Sequence, residues 1–336
     1  MHALVVYGRA VMADGRQATA YWTTGPGQGQ LRQEPLREPG PGEALVRTLH
    51  TGVSRGTELL VHTGQVPAEV ASLMRAPFQD GEWPGPVKYG YLSVGIVEKG
   101  PSDLEGREIF CLFPHQDRYV VPVAALTPLP DGVPARRAVL AGAVETAVNG
   151  LWDAAPRIGD RIAVVGAGMI GCAVAALLRT FPLERLQLVD VDRSRVSVGS
   201  ALGVEVVHPH DAADGCDLVV HASASSAGLQ RSLELLGDEG EVVELSWYGA
   251  REVSVQLGSV FHPRRLVVRS SQVGQVAASR RARRTHADRL LLALKLLRDD
   301  SFDALITGSS PFADLPRTMK ALASGELPGL CHVVDY

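Results

Sequence analysis

A chain of 336 residues with a formal net charge of −4 has no global bias toward nucleic acid or an anionic membrane surface. Its 46% hydrophobic and 21% charged residues are those of an ordinary soluble globular protein, and the length suggests about two domains. Cys111, Cys172, Cys216 and Cys331 are scattered with no C-x-x-C pair, which argues against a disulfide framework and a four-cysteine zinc lobe and makes a reduced, cytoplasmic setting the expectation.

The opening MHALVVYGRAVMADG has too short an apolar core for a signal peptide. From there to residue 126 the pattern predicts short strands, at 44–49, 92–98, 108–113 and 118–123, separated by turns such as PGPGE and EKGPSDLEG. This reads as a mostly β, barrel-like domain. Residues 64–90 are irregular and proline-rich and hold Met74, Phe78 and Trp83, either as a functional loop or as a surface excursion. Residues 134–152 predict a helix leading into the central motif.

That motif is RIAVVGAGMIGCAVAALLRTFPLERLQLVD, at 161–190. A β-branched run at 161–165 predicts a buried parallel strand. Gly166, Gly168 and Gly171 follow as G-x-G-x-x-G, then a helix over 169–179 and a second strand at 186–189 ending in Asp190. The first glycine permits the tight turn, the second lets a pyrophosphate approach the backbone, and the third lets helix and strand pack closely. The helix N-terminus, around Met169 and Ile170, offers N–H groups to the phosphates. Asp190, followed by Val191, stands where an acid takes the ribose hydroxyls and repels a 2′-phosphate, which favours NAD(H) over NADP(H). Arg195 is placed to cover the adenosine ribose, and Arg193 is a residue of the kind that accommodates a 2′-phosphate. The uncharged stretch 162–178 is slightly short for a membrane span and is explained by strand plus helix.

Strand and helix continue to alternate: a helix over 192–202 stopped by Gly203, a strand at 217–221, a helix over 227–236 stopped by Gly237, and strands at 241–246 and 266–270. Six strands with helices between them make a doubly wound sheet. Ala222, Ser223, Ser246 and Trp247 follow strand ends, where this fold binds ligands, although a tryptophan is by default core. The basic run SRRARRTHADR, at 279–289, reads as a solvated loop and helix start, with an anionic partner as the alternative. A leucine-rich helix over 286–298 and short strands at 305–306 and 332–334 complete the chain. The nucleotide domain, 127–296, is thus expected as an insertion between 1–126 and 297–336.

The whole chain resembles the medium-chain dehydrogenase/reductase superfamily, the alcohol-dehydrogenase-like enzymes. TGVSRGTEL (51–59) is similar to the family's G-V-C-G-T-D-L, KYGYLSVGIV (88–97) to its G-H-E-x-x-G-x-V, AGAVETAVNG (141–150) to the helix that reaches the nicotinamide, and PFADLPRTMKAL (311–322) to its closing helix. The resemblance implies a GroES-like β-barrel catalytic domain with a Rossmann domain, an α/β fold, Thr146 at the nicotinamide, and a homodimer formed through the Rossmann edge strand at 266–270. The departures matter as much. The family's zinc-ligating cysteine position is Ser54 or Arg55, its histidine is Tyr91, the adjacent glutamate is Leu92, and the third-ligand position is Gly142. Zinc needs about three protein ligands in a catalytic site, so no zinc is expected. SRGTE with GYLSVG is closest in pattern to the bacteriochlorophyllide hydroxyethyl dehydrogenase branch, which implies oxidation of a 1-hydroxyethyl group on a sizeable ring compound.

Without a metal, hydrogen-bond donors must meet the charge that hydride transfer builds on oxygen. Tyr91 is the first candidate, as proton donor or as mere filler of the vacated pocket. Ser54 is a second donor or a turn residue. Glu58 takes the place of a family aspartate with a structural contact. Arg55 or Lys88 can fix an anionic group or pair with Glu58, and His115 is either a proton relay or a surface loop histidine. The expected function is zinc-independent, NAD(H)-dependent interconversion of a secondary alcohol and a ketone. Reduction of an activated C=C bond or quinone, and a non-catalytic NAD(H)-binding role, are the alternatives.

Overall fold

The computed structural model describes residues 16–336, so the opening stretch at 1–15, read above as too short in its apolar core for a signal peptide, lies outside the described residues. The described chain opens on a hairpin that the sequence reading missed, β1 (Gln17–Gly25) and β2 (Gln28–Pro35). Its strands are rich in Gln and Thr, so the inward face is carried by small residues such as Ala18 and Ala20, both fully buried. Next come β3 (Glu43–Ser54), the short α1 (Thr57–His62), two-residue strands β4 (Asp80–Gly81) and β5 (Val87–Lys88), then β6 (Ser93–Lys99), β7 (Glu108–Cys111), β8 (Arg118–Pro122) and β9 (Thr127–Pro128). The predicted strands at 44–49, 92–98, 108–113 and 118–123 fall on β3, β6, β7 and β8.

Helices α2 (Ala135–Ala138) and α3 (Ala141–Ala154) lead into β10 (Arg161–Val165), α4 (Met169–Leu178), β11 (Arg185–Val189), α5 (Arg195–Leu202), β12 (Val206–Val207), β13 (Cys216–His221), α6 (Ser226–Leu235), β14 (Leu236–Glu244) and β15 (Val267–Ser270). These strands form one parallel sheet in the order β12-β11-β10-β13-β14-β15. After α7 (His286–Leu296) the chain supplies β16 (Ile306–Pro311), α8 (Leu315–Ser324) and β17 (Cys331–Asp335). β16 and β17 join the sheet of β3, in the order β16-β17-β3-β6-β7-β9 with β8 also on β3. β3 and β6 to β9, from before the parallel sheet, therefore share one sheet with β16 and β17 from after it, while β1, β2, β4 and β5 form a separate four-stranded sheet in the order β2-β1-β5-β4.

Two predicted helix limits are corrected. Residues 192–194 form a turn in which the Asp192 carboxylate accepts from Ser194 N at 2.9 Å, and α5 starts only at Arg195. Gly237 does not stop a helix; β14 already begins at Leu236, because the buried Leu235 and Leu236 carry the chain straight into the sheet. Gly203 does end α5, in the left-handed region at φ 70°.

Helix α3 locks the architecture. Ala141, Val144, Ala147, Val148 and Leu151 are buried in a core that also holds Val94 and Phe110 from the mixed sheet, Ile162 and Val164 from the parallel one, and Leu178 of α4. At about 1.5–3 kcal/mol for each large aliphatic side chain buried, this shared face is a strong restraint on how the two sheets sit. Its polar counterpart is Arg289, 1% exposed, whose Nε meets Glu145 at 3.0 Å and whose Nη1 donates to Asn149 at 2.5 Å. Arg289 is the exception in the basic run, where Arg280, Arg281, Arg283 and Arg284 are exposed as expected.

Candidate active site and cofactor cleft

The glycine turn has the geometry its spacing calls for. Gly166 has φ 107°, a conformation L side chains avoid. A Cβ on Gly171 would stand 1.8 Å from the Gly166 carbonyl oxygen, so turn and helix touch there, whereas one on Gly168 meets nothing within 4 Å. The open side at Gly168, which caps α4, is where a phosphate fits. Asp190 holds the turn: Oδ2 accepts from Ala167 N at 2.6 Å and Oδ1 from Asp192 N at 2.8 Å. Each carboxylate oxygen keeps a lone pair for a ribose hydroxyl. Val191 beside it is 72% exposed, Met169 is buried and Ile170 partly so. These residues fit a dinucleotide.

Arg195 opens α5 and pairs with Asp192 at 3.2 Å. Arg55, in the segment after β3, comes close enough that Arg195 together with burial, the larger cause, lowers its pKa. Its Nη1 donates to Gly329 O at 2.7 Å, and its Nε is buried with no partner. Two guanidinium groups from different domains are thus within electrostatic reach of each other, a pair suited to an anion. Arg55 does not pair with Glu58, and Lys88 is spent on Glu34 at 2.6 Å and Gln116 at 3.0 Å.

The residues standing at zinc-ligand positions do converge. A Cβ on Gly142 would lie 2.5 Å from Leu92 Cδ2 and 3.9 Å from Tyr91 Cδ2. Burial, then the Glu58 carboxylate, push the Tyr91 phenol well above its ordinary pKa, while the hydroxyls of Ser54 and Thr57 pull it the other way. The buried Cys331 thiol nearby is pushed to about 12 by burial and then by the Glu58 charge, so it stays protonated. Among the described residues no three His, Cys, Asp or Glu side chains gather to hold a metal. This donor set does not fit zinc.

Behind the pocket Glu58 and His115 form a buried pair, 2% and 1% exposed, with Oε2 and Nε2 2.8 Å apart. Glu58 Oε1 accepts from Ser54 N at 2.9 Å, and His115 Nδ1 lies 2.6 Å from Thr51 Oγ1. The surface alternative for His115 is therefore corrected: the carboxylate that sequence spacing did not reveal is 57 residues away. The 64–90 loop packs its aromatic residues toward the site, with Trp83 on Tyr89 at 5.8 Å and Tyr89 on Tyr91 at 5.9 Å between ring centres.

On the cofactor side, Thr146 is half-buried on α3 and donates to Gly142 O at 2.8 Å. The Ser223 backbone lies against the turn: a Cβ on Gly166 would be 2.6 Å from Ser223 N. Trp247 is half-buried, not core. The sequence reading missed His221 and Glu244, which end adjacent strands and meet at 2.7 Å.

No protein-family model matches the chain. An alcohol dehydrogenase of Cupriavidus necator is 25% identical over 253 residues, covering 64% of this chain and 69% of its own length. A 2-desacetyl-2-hydroxyethyl bacteriochlorophyllide A dehydrogenase of Cereibacter sphaeroides is 36% identical over 87 residues, and an uncharacterized zinc-type alcohol dehydrogenase-like protein of Haemophilus influenzae is 25% identical over 138. These two alignments cover 26% and 38% of this chain, and the chain spans only 24% and 40% of those relatives' lengths. Among solved structures, a short chain alcohol dehydrogenase from E. coli CFT073 with NADH has a TM-score of 0.75 at 15% identity, over 96% of this chain and 100% of that one. A Sinorhizobium meliloti zinc-binding dehydrogenase bound to NADP has 0.75 at 16%, with the same coverage. The chain's relatives and structural neighbours are thus alcohol-dehydrogenase-like members of the medium-chain dehydrogenase/reductase superfamily, and it shares their fold of a GroES-like β domain with a Rossmann domain.

Proposed function

We propose that this chain is a zinc-independent, NAD(H)-dependent oxidoreductase that interconverts a secondary alcohol and a ketone on a sizeable ring compound. The observation that carries the reading is the pairing of a complete dinucleotide turn with a metal pocket whose ligand positions hold Ser54, Tyr91, Leu92 and Gly142. Gly166, Gly168 and the first residues of α4 would hold the pyrophosphate, with Arg55 and Arg195 on its charge and Asp190 on the adenosine ribose. Thr146 and Ser223 border the nicotinamide end. A bound nicotinamide supplies or takes up the hydride. Tyr91, kept protonated by its buried setting, donates to the carbonyl oxygen, delivers its proton to it as charge develops, and regains a proton from solvent through the hydroxyls of Ser54 and Thr57. Ser54 and Thr57 orient that hydroxyl, and the Glu58–His115 pair fixes the backbone on which Ser54 sits. The aromatic wall of Trp83, Tyr89 and Tyr91 favours a flat ring as substrate.

The sheet shared by β3, β16 and β17 supports division into 1–126 with 297–336 and a Rossmann insertion at 127–296. Strand β15 is a sheet edge whose four residues are all exposed, Val267 and Val268 among them, which supports a homodimer through that edge. Among the described residues no helix is long and apolar enough to cross a membrane. We propose a cytoplasmic protein acting on a small molecule, and the net charge of −4 gives no bias toward nucleic acid.

The test is metal content of protein purified without added metal, NADH and NADPH titration by fluorescence, and product analysis with acetyl- and hydroxyethyl-bearing ring compounds. Expected are no zinc, tighter NADH than NADPH, and a new alcohol or ketone. Stoichiometric zinc refutes the pocket assignment, and a saturated enone as product assigns the chain to C=C reduction instead.

A further inference from the structure

At the carboxyl ends of β13 and β14 lies a polar network of which the proposed function uses only Ser223. His221 is fully buried. Its Nδ1 is 2.7 Å from Glu244 Oε2, and its Nε2 is 2.7 Å from Ser223 Oγ, which is 2.9 Å from Ser225 Oγ. Glu244 also accepts from Ser246 N at 2.7 Å and from the Tyr248 hydroxyl at 2.8 Å. Ala224 N donates to Ser246 Oγ at 3.1 Å. The network therefore ties loop 222–225 to loop 245–248. The first of these lies against the glycine turn at Gly166. The second runs on to the β domain, where Ala250 N donates to Gln65 O at 3.0 Å.

Serine, histidine and carboxylate stand here in the order of a nucleophile, its base and its orienting acid. The surroundings argue against acyl transfer. A Cβ on Gly228 would lie 2.1 Å from Ser223 Oγ and 2.9 Å from His221 Nε2, so the first turn of α6 sits on the hydroxyl where an acyl carbon would have to approach. What the network does is hold two loops.

We propose that His221 is a positioning residue for dinucleotide binding, fixing loops 222–225 and 245–248 against the glycine turn in a manner that depends on its own protonation. This rests on the dinucleotide assignment above. The titratable groups facing His221 are Glu244 on the neighbouring strand and Tyr248 in the loop after it. Burial pushes the Glu244 carboxyl up, but hydrogen bonds from His221 and Ser246 outweigh it and leave it below the usual value, so it stays ionised where histidines titrate. Burial and the Glu244 charge raise the Tyr248 phenol, which stays neutral. The neutral ring then gives Nδ1–H to Glu244 and takes the Ser223 proton on Nε2. A second ring proton makes Nε2 a donor, so the Ser223 hydrogen must turn away and the 222–225 loop resettles.

The experiment is calorimetric titration of NADH into the full chain between about pH 5.5 and 8.5, with melting curves, for the wild type, His221→Gln and Ser223→Ala. Expected is a wild-type Kd that changes about tenfold across the range, the worth of one hydrogen bond, with both variants folded and their pH dependence flattened. Wild-type Kd and pH slope retained in both variants overturn the inference while leaving the dinucleotide assignment intact. A wild type that binds neither NADH nor NADPH overturns both. Should His221→Gln not fold, Ser223→Ala alone decides.

Discussion

The two glycines of the dinucleotide turn make a matched pair of perturbations. In Gly171→Ala the new methyl would stand 1.8 Å from the Gly166 oxygen and 3.0 Å from its carbonyl carbon, both backbone atoms that cannot rotate away. The turn and α4 must part, at a cost of about 1–3 kcal/mol for overpacking. For a protein of this size that lowers Tm by about 1–2 °C per kcal/mol. In Gly168→Ala the methyl meets no protein atom within 4 Å, and φ −76° suits alanine. Loss of an N-cap preference and gain in backbone entropy oppose each other, each within about 1 kcal/mol, so Tm barely moves. Yet that methyl occupies the open side on which the pyrophosphate would rest. Displacing the phosphate from one charge-assisted N–H bond costs about 1.5–3 kcal/mol, a weakening of NADH binding by about 10- to 150-fold. Scanning calorimetry and NADH fluorescence titration read the two quantities separately. Wild-type NADH affinity in Gly168→Ala refutes the placement of the phosphate, and equal melting of the two variants refutes the packing argument.

Glu58→Ala leaves the buried His115 ring and the Ser54 N–H without their carboxylate partner and is expected to lose about 1–3 kcal/mol, seen as a fall in the urea midpoint, whereas Glu58→Gln keeps an acceptor and loses less. Asp190→Ala removes both the ribose acceptor and the tether to Ala167 N; NADH affinity falls and the ratio of NADPH to NADH affinity rises, and unchanged discrimination in titrations overturns the role given to that carboxylate. Val268→Lys places a charge on an exposed edge strand and is expected to convert dimer to monomer in sedimentation without loss of helical signal. A wild type already monomeric at micromolar concentration overturns the edge assignment.

The parallel sheet was readable in the sequence because its rules are local. A buried strand such as Arg161–Val165 is a continuous apolar run, and the turn after it needs glycine at fixed offsets. The hairpin of Gln17–Gly25 with Gln28–Pro35 was not readable, because its buried residues, Ala18, Ala20, Tyr21 and Thr23, are mostly small or polar and break strict alternation, and β2 is polar but for Gly29, Leu31 and Pro35. The site divides the same way. The cofactor turn is contiguous, whereas the polar pairs are made by sheet register: His221 meets Glu244 because both end neighbouring parallel strands, and Glu58 meets His115 across 57 residues. Nothing in either local sequence marks the partner.

In the proposed mechanism a phenol stands in place of a metal, which changes how charge on the substrate oxygen is met, and the pocket's electrostatics decide in which sense. Zinc stabilises an alkoxide by its own positive charge. Tyr91 brings none, and the Glu58 carboxylate near it disfavours a second negative charge. The compatible role is proton delivery coupled to reprotonation through the Ser54 and Thr57 hydroxyls, in which the oxygen leaves hydride transfer as a neutral hydroxyl and no lasting phenolate stands beside Glu58. That role needs the phenol protonated at every working pH, and burial with Glu58 secures this by raising its pKa above the ordinary value of about 10. Ultraviolet difference titration of the wild type against Tyr91→Phe tests the point: no tyrosinate belonging to Tyr91 is expected below about pH 10. Ketone reduction by Tyr91→Phe should fall about 100-fold with little change in Tm, the scale on which positioned proton donors act. A tyrosinate titrating near neutrality would instead make Tyr91 a base suited to alcohol oxidation and reverse the argument.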